Sequence, residues 1–525
     1  MTSGEAFDVV VAGGGSAGCV VAARLTEDPG CRVLLLERGP DPRPLPPTLA
    51  MAERRLLVYT ETPYVWPYTA RRTVDGSVFH LLAGHILGGG STVNVMAANR
   101  AVPQDFAAWG RDVDPLWGWE HVLPVFKRLE HDADFGGSDL HGRGGPVWIE
   151  RRALPSRFTG WEAAFRDACV ELGYPVQPDL NGAEPYGVGA FAWTIKDGRR
   201  QSAVVAYIDP ARSRPNLTIM DEATVTAVDL DGHRAAGVRY VRHGQETRIR
   251  AGEVVLSAGV YHSPQVLMLS GIGPPAELRR HGVPVRVPSP GVGEGLQDHA
   301  SVFPAFEWHH PDSVEWPGIC PALLAKSEAS CPVLDLHLIP RAPISIAGVR
   351  PIARVGVYLL EQRTRGRVVL PSADPLAFPE IEPRVLDDER DVAAIVEGMR
   401  LARRLVETPP MQRFYGGLVT PEPDEDWGSY ARRTYDSYHH GVGTCRMGGD
   451  GDPEAVVDAR LRVRGVRNLR VADASVIPTL VHANTNLTAL MIGERCVDFI
   501  REGACAWKGG HDRGEEAGGA RAGAV

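Results

Sequence analysis

Two polar residues near the end of the chain have the chemistry to act together on a hydroxyl group. His440 directly precedes a short run of small residues, Gly441–Gly443, where a backbone can approach a ligand closely. Asn484 opens a strongly apolar segment further along the chain. A neutral imidazole can accept a proton near pH 7, and an amide can hydrogen-bond the oxygen that loses it. The pair therefore predicts the oxidation of an alcohol, which requires a hydride acceptor nearby.

The start of the chain has the pattern of a dinucleotide-binding unit. A buried strand is predicted over residues 7–12, a glycine-rich turn follows it, and helical composition begins near Cys19. A second predicted strand, 32–36, ends on an acid that could bind a ribose hydroxyl. A glycine-rich turn alone is weak evidence and the acid could be a solvated strand end, but the full order of elements favours a dinucleotide site. The predicted binding residues here are Gly13, Gly15, Ser16, Gly18 and Glu37.

The composition argues against several kinds of partner. Apolar residues make up 44% of the 525 residues, as in a globular protein, and this length favours two closely joined domains. The formal charge of -9 argues against nucleic acid and against an anionic membrane surface. No uncharged apolar run is long enough to span a membrane, and the first strand leaves no room for a leader. We therefore expect a soluble, cytoplasmic protein.

The cysteines do not suggest a metal centre. The eight cysteines form no CxxC pair and follow no regular spacing. In a long chain this pattern favours free, mostly buried thiols over disulfides or zinc ligands. We expect no metal site.

The middle and the end of the chain contain further recognisable segments. The alternation over residues 216–241 is typical of a meander with a hairpin turn at Asp231-Gly232, and another buried strand is predicted over 253–257. Residues 509–525 are rich in glycine, alanine and charge, so we expect a disordered tail. The meander strands are predicted at 216–220, 223–230 and 236–241.

Several motifs together resemble the signatures of the glucose-methanol-choline (GMC) family of flavoprotein oxidoreductases. The run Gly84–Asn94 resembles the first signature, and Gly259–Gly273 resembles the second. The resemblance extends over about residues 5–500 and implies an FAD-dependent enzyme that oxidises a CH–OH group. Further similarity lies at Pro103–Phe106, Trp119–Phe126, Gly295–His299, the block around His440, and Leu469–Ser475.

The resemblance implies how the cofactor is held. The first signature would wrap the FAD, and its unobstructed amides and hydroxyls suit a diphosphate or a flavin edge, although a tight structural turn would use the same residues. His85 departs from the family pattern, which puts local anchoring in question. Val93 stands where some members carry the histidine that binds FAD covalently, so we expect noncovalent FAD. The cofactor residues implied beyond the first turn are Gly88, Gly89, Ser91, Asn94, Val225, Asp473 and Thr485.

The fold class expected from these motifs is α/β. It comprises a Rossmann-like FAD-binding domain with an interleaved α+β substrate-binding domain, as in the GMC fold. We expect the FAD domain over most of residues 5–300, with 155–210 contributing to the substrate domain. The substrate domain would continue through 301–434, and 435–502 would return to the FAD domain with the catalytic residues. The stretch 299–335 is shorter than in family members, which suggests a more open pocket.

The family implies that His440 is the base and that Asn484 positions the substrate oxygen, while the helix after Asn484 directs its positive end at the flavin. The substrate would be a small-molecule alcohol, and the electron acceptor O2 or a carrier. Tailoring of a bacterial secondary metabolite, such as an aminosugar hydroxymethyl group in antibiotic biosynthesis, is one alternative. A cyanohydrin lyase and a flavin-binding protein without turnover are alternatives of another class. Whether His482 reaches the pocket stays open, and Trp66 and Tyr68 could line the entrance or simply pack.

Overall fold

The computed structural model describes residues 6–54, 63–309, 321–341 and 351–511, with side chains described as far as Gly503. The strands are β1 (Ala6–Ala12), β2 (Val33–Leu36), β3 (Val65–Arg71), β4 (Val78–Gly84), β5 (Glu130–Asp132), β6 (Val147–Ile149), β7 (Gly187–Ala190), β8 (Ile195–Lys196), β9 (Arg199–Arg200), β10 (Leu217–Met220), β11 (Ala223–Asp231), β12 (Arg234–Arg242), β13 (Gln245–Leu256), β14 (Ile272–Gly273), β15 (Val287–Pro288), β16 (Glu294–Leu296), β17 (Ala300–Val302), β18 (Ala305–Trp308), β19 (Pro321–Ala325), β20 (Leu336–Arg341), β21 (Ile352–Leu359), β22 (Gly366–Val369), β23 (Glu380–Glu382), β24 (Tyr415–Thr420), β25 (Asp436–Ser437) and β26 (Leu469–Val471).

The helices connect these strands in both halves of the chain. They are α1 (Ser16–Leu25), α2 (Pro47–Ala50), α3 (Gly90–Val93), α4 (Pro103–Asp112), α5 (Trp119–Leu129), α6 (Gly160–Glu171), α7 (Asp209–Ala211), α8 (Gly259–Leu269), α9 (Pro275–Arg280), α10 (Glu389–Val406), α11 (Pro409–Gln412), α12 (Trp427–Thr434) and α13 (Thr485–His511). A π-helical turn spans Val204–Ile208.

The first sheet is built around β1 and is parallel at its centre. Strands β2 and β13 flank β1, β10 pairs outside β2, and β26 pairs with the end of β13, all in parallel. Residues 9–12 and 33–36 are buried throughout, so both faces of these strands are covered, which explains their continuous apolar sequences. Because parallel strands end at one edge, the loops that begin at Gly13, Glu37 and Ser257 lie at the edge where nucleotides bind in such folds.

The meander forms the antiparallel part of the same sheet. Strands β11 and β12 pair across the predicted hairpin turn, where Gly232 has a φ of +54°, so the turn is confirmed. The prediction that residues 216–220 belong to the meander is wrong, because β10 pairs with β2 instead of β11. The predicted strand over 253–257 begins earlier, at Gln245, since the first half of β13 pairs with β12 and the second half with β1. Local sequence gives no signal for pairing with a partner so distant in the chain.

The second sheet is antiparallel and has the strand order β24-β18-β21-β20-β19-β7, with β17 joining β21 and β25 joining β17. Helix α10 packs on this sheet so closely that a Cβ at Gly398 would lie 2.5 Å from Val357. Strand β7 pairs with β19, so the segment before residue 210 meets the segment after residue 300 in one sheet. The predicted α/β fold class with an interleaved α+β region is confirmed. Residues 310–320 of the short segment lie outside the described residues.

Other predictions from composition concern the cysteines, the tail and membranes. The described cysteines are free thiols: Cys19, Cys31, Cys169, Cys331, Cys445 and Cys496. Helix α13 continues to His511, and the remainder of the predicted disordered tail lies outside the described residues. Within the described part of the chain, no helix is long and apolar enough to cross a membrane.

A buried ionic cluster joins the region around β5 and β6 to the loop before β7. His141 Nδ1 lies 3.1 Å from a Glu130 carboxylate oxygen and 3.2 Å from Asp132, and its Nε2 lies 2.8 Å from Asp179. Arg151 donates to both Asp132 and Asp179 at 2.6–2.9 Å. Burial alone would lower the pKa of His141, but hydrogen bonds to Asp132, Asp179 and Glu130 raise it to about 10. A charged imidazole therefore connects three acidic side chains.

Substitution of His141 by glutamine should destabilise the fold by about 3–5 kcal/mol, because three buried carboxylates lose one of the cations that balance their charge. Since the folded pKa exceeds the ordinary value of about 6.5, the protonation-linked part of this stability is complete below about pH 6.5 and is lost as the pH rises to about 10. The difference in thermal midpoint between wild type and His141→Gln should therefore shrink from pH 6 to pH 10. A constant difference would contradict a charged His141. His121→Gln, at a side chain that is 47% exposed, is the control.

Candidate active site

A cavity of about 510 Å³ connects the nucleotide-binding edge of the first sheet with His440 and Asn484. Most of the predicted site residues line it, although they come from segments far apart in the chain. Those that line it are Gly13, Gly15, Ser16, Glu37, Gly89, Asn94, Val225, His440, Asp473, Asn484 and Thr485. Gly18, Gly88 and Ser91 lie behind this wall and act through backbone packing, as their contacts indicate.

Three of the four glycines in Gly13–Gly18 have different roles. Gly13 has a φ of +109°, and a Cβ there would lie 2.3 Å from the Ser257 carbonyl oxygen. A Cβ at Gly18 would lie 2.0 Å from the Gly13 carbonyl oxygen. By contrast, the nearest atom to a Cβ at Gly15 is the Ser257 oxygen at 3.8 Å. Gly13 and Gly18 therefore permit the turn and the helix packing, while Gly15 leaves space for a ligand.

The second glycine loop packs against the first, backbone to backbone. The Gly88 N–H donates to the Gly14 carbonyl at 2.7 Å, and a Cβ at Gly89 would lie 2.8 Å from the Cα of Gly15. Ser91 is buried and donates its hydroxyl to the Gly88 carbonyl at 2.6 Å, which fixes the bend of this loop. A side chain at Gly89 would therefore push the two loops apart, whereas one at Gly88 would collide with Thr92.

Asn94 follows helix α3 and faces the cavity. Its side-chain oxygen accepts hydrogen bonds from the Met96 N–H at 3.0 Å and from Arg200 at 2.8 Å. Arg200 also donates to the Asn94 and Ser91 carbonyls, so one buried guanidinium holds the end of the loop. His85, the departure from the family pattern, packs against Trp66 with ring centroids 3.5 Å apart and the rings tilted by 36°.

Glu37 presents a buried carboxylate at the end of β2. It accepts the Gly14 N–H at 2.7 Å and the Gly39 N–H at 2.6 Å. Burial raises the pKa of Glu37 to about 7, although these backbone hydrogen bonds oppose the rise. A ribose hydroxyl in the cavity would give this carboxylate a further donor, which is the usual role of an acid at this position.

Two helices begin at the cavity. Ser16 at the start of α1 donates its hydroxyl to Asn486 in the first turn of α13 at 2.8 Å. Gly493 lets α13 approach α1 closely, since a Cβ there would lie 2.8 Å from the Ala17 carbonyl oxygen. The first amides of a helix have no partner within the helix, and its N-terminus carries partial positive charge. The two N-termini therefore favour negatively charged groups in the cavity.

His440 and Asn484 meet in the cavity. The side-chain nitrogen of Asn484 lies 3.2 Å from His440 Nε2, and the backbone N–H of His440 donates to the Asp298 carboxylate at 2.8 Å. Burial lowers the pKa of His440 well below its ordinary value, and His299 lowers it further, so the ring is neutral. Among the described residues, the Asn484 side-chain oxygen is a buried atom without a hydrogen-bond partner. The arrangement offers a neutral base and an amide to a ligand oxygen.

Sequence reasoning assigned no role to several residues of this site. Asp298 holds the backbone of His440, and His299 holds its Nδ1. The motif Gly295–His299 was the sequence signal that pointed to both residues.

His482 pairs with Asp105, with Nδ1 2.5 Å from a carboxylate oxygen, and does not belong to the described lining of the cavity. Other cavity residues without an assigned role are Arg38, Tyr261, His262 and Gln265, while Trp66 and Tyr68, foreseen near the entrance, also line it.

The sheet edge, the two glycine loops and the two helix N-termini have the arrangement of a dinucleotide-binding site, and an imidazole faces an amide in the same cavity. Comparison with known proteins agrees. Models of the GMC oxidoreductase family match residues 7–301 and 362–493. The chain belongs to this family, and it is an FAD-dependent enzyme, an alcohol oxidase or dehydrogenase.

The chain is similar to relatives over nearly its whole length. Choline oxidase from Arthrobacter globiformis is 37% identical over 525 residues, covering 95% of this chain and 95% of that protein. Mitochondrial choline dehydrogenase from Homo sapiens is 34% identical over 546 residues, covering 96% and 91%. The crystal structure of pyridoxine 4-oxidase from Mesorbium loti superposes with a TM-score of 0.89 at 28% identity, covering 94% of this chain and 99% of that one. The predicted GMC fold is confirmed.

Substitution of Gly15 by alanine should weaken FAD binding by at least about tenfold while leaving the fold intact. The methyl group meets open space in the protein and would occupy pyrophosphate space when FAD is bound. The measurement is the flavin absorbance per protein after purification, with circular dichroism as the folding check. Gly18→Ala is the contrasting variant, because its methyl group collides with backbone and should impair folding itself. If the Gly15→Ala protein still binds one FAD per chain, the turn does not receive the pyrophosphate.

Proposed function

We propose that this enzyme oxidises a primary or secondary alcohol of a small molecule, with His440 as the base and Asn484 as the group that positions the substrate oxygen. The observation that carries the proposal is the contact between the Asn484 amide and His440 Nε2 at 3.2 Å, inside the cavity that fits FAD. A substrate hydroxyl placed within hydrogen-bond distance of both groups would meet both a base and a hydrogen-bond donor.

The proposed chemistry separates the proton from the hydride. The proton of the substrate O–H group moves to His440 Nε2, so the O–H bond breaks and an N–H bond forms. The amide of Asn484 donates to the same oxygen and stabilises its growing negative charge. The bound flavin supplies the acceptor for the hydride that leaves the carbinol carbon. The partial positive charge at the start of α13 would stabilise the negative charge that a bound flavin gains with the hydride.

The electrostatics of the base support this role at neutral pH. His440 is buried, and burial keeps its pKa well below the ordinary value. The ring therefore stays unprotonated near pH 7, where a charged imidazolium could not accept a proton. His299 and His439 lie close enough to lower the pKa of His440 further, because a positive charge on either ring would repel one on His440.

FAD is proposed to bind noncovalently. Val93 is buried in the wall of the cavity, and its isopropyl group has no atom that could bond to the flavin ring. Precipitation of the holoenzyme with acid should therefore release all flavin into the supernatant, measured by its absorbance, and leave a colourless pellet. Flavin retained in the pellet would contradict noncovalent binding.

The substrate class can be tested by anaerobic absorbance of the holoenzyme. The probes are simple primary alcohols, benzyl alcohol, pyridoxine, choline and an aminosugar with a free hydroxymethyl group. Loss of the flavin band with at least one probe is expected, because the substrate reduces the flavin in an oxidase and in a dehydrogenase alike. Rapid return of the band in air indicates an oxidase, and slow return indicates a dehydrogenase that uses a carrier. If no primary or secondary alcohol changes the band, the proposal fails, and unchanged flavin during turnover would indicate a lyase.

Substitution of His440 by alanine should slow reduction of the flavin by substrate about 10² to 10⁴-fold, as expected for loss of a positioned base. FAD content should be retained, because the cofactor residues are unchanged. Rapid mixing under anaerobic conditions gives the rate constant. His121→Ala, at an exposed position on α5, is the matched control and should behave as wild type. An unchanged rate constant in His440→Ala would remove its role as base.

A further inference from the structure

A chain of hydrogen bonds passes through His440 and ends on a backbone carbonyl. The Asn484 side-chain nitrogen lies 3.2 Å from His440 Nε2, and His440 Nδ1 lies 2.9 Å from His299 Nδ1. His299 Nε2 in turn lies 3.0 Å from the carbonyl oxygen of Val481. Two imidazole rings, nearly perpendicular at 89°, therefore lie in series between an amide and a carbonyl.

The end of this chain at Val481 determines where the protons lie. A carbonyl oxygen can only accept, so His299 Nε2 must carry a hydrogen. In a neutral imidazole the other nitrogen then has no hydrogen, so His299 Nδ1 accepts from His440 Nδ1. His440 Nδ1 is consequently protonated, and its Nε2 has a free lone pair.

The opposite end of the chain agrees with this direction. An amide nitrogen can only donate, so the contact between Asn484 and His440 also requires an unprotonated Nε2. The side-chain oxygen of Asn484 is then the atom directed away from His440, and it has no partner among the described residues. Every hydrogen bond thus points the same way, from Asn484 toward Val481.

This argument requires a neutral His299, and its surroundings keep it neutral. His299 is fully buried, and burial together with the neighbouring His482 and His337 lowers its pKa to about 3. The neighbouring carboxylate of Asp298 accepts from the backbone N–H of His440 and from the Ser437 hydroxyl. Asp298 therefore holds the backbone of the loop and does not contact the His440 ring in this way.

We propose that His299 is a positioning residue that fixes His440 in the tautomer with Nδ1 protonated and Nε2 free to take the substrate proton. The inference rests on the proposed function of His440 as the base. When Nε2 receives the proton of the substrate hydroxyl, His440 becomes an imidazolium whose Nδ1–H still donates to His299. No proton is transferred to His299, and without its acceptor the unreactive tautomer of His440 becomes populated.

Two variants isolate the acceptor at His299. Asparagine places an oxygen near the position of Nδ1, whereas leucine places a carbon there, and neither reaches the Val481 carbonyl. His299→Leu should therefore lower the limiting rate constant of flavin reduction at least about tenfold, with little change in the substrate concentration at half-saturation. His299→Asn should recover most of that loss. The probe is the alcohol that bleaches the holoenzyme most rapidly. Equal rates in the two variants would overturn the proposal.

The double variant separates this inference from the function on which it rests. If His440→Ala already slows reduction, adding His299→Leu should cause no further loss, because His299 acts only through His440. A further loss of about tenfold would place the role of His299 elsewhere and overturn the proposal. An unchanged rate in His440→Ala alone would instead refute the proposed function. Should His299→Leu fail to retain FAD, His299→Phe is compared with His299→Asn in its place.

A measurement without substrate tests the tautomer directly. The nitrogen-15 chemical shifts of a histidine-labelled protein distinguish protonated from unprotonated ring nitrogens, and His440→Ala assigns the signals of His440. Wild type and His299→Asn should show a protonated Nδ1 and an unprotonated Nε2 at His440. His299→Leu should show a mixture of the two forms. A protonated Nε2 in the wild-type holoenzyme would overturn the proposal, whatever the activity of the enzyme.

Discussion

The site depends on a short buried strip, Gln297–His299, which holds two distant loops together. Gln297 pairs its backbone with Val442 and accepts the Leu480 N–H on its side chain. Asp298 fixes the backbone of His440, and His299 connects the ring of His440 to the Val481 carbonyl. His440 and Asn484 come from different segments of the chain, and this strip contacts both segments. Burial strengthens its hydrogen bonds because water cannot compete for them.

The cofactor side of the cavity obeys a second constraint, which is the close approach of backbones. Gly88 and Gly89 contact the first glycine turn, and Gly493 brings α13 against α1. As a consequence, two helix N-termini and two loops of amides surround one space. Their partial positive charges would favour the diphosphate of a bound FAD and would also favour added negative charge on its flavin. One packing arrangement therefore serves both binding and chemistry.

Neutral histidines are a shared property of the active site. His299, His337 and His440 are buried, and burial lowers the pKa of each ring; His337 lowers the pKa of His299 and of His440 further, because two like charges repel. The outcome contrasts with His141, where three carboxylates hold a proton on a buried imidazole. A buried histidine is thus neutral where no carboxylate contacts its ring and charged where three carboxylates do.

The sequence by itself determined the local units of this protein. The dinucleotide-binding unit with Gly13–Gly18 and Glu37 could be predicted because turns, helices and strands depend on residues that are near neighbours in the chain. The loop after His440 could be predicted from its motif. Sequence could not decide that β10 pairs with β2, that His482 binds Asp105, or that His299 bonds His440. These contacts join residues 141 to 377 positions apart, or strands from separate units, and chain connectivity carries no record of them. Only the tertiary fold brings such residues within hydrogen-bonding distance.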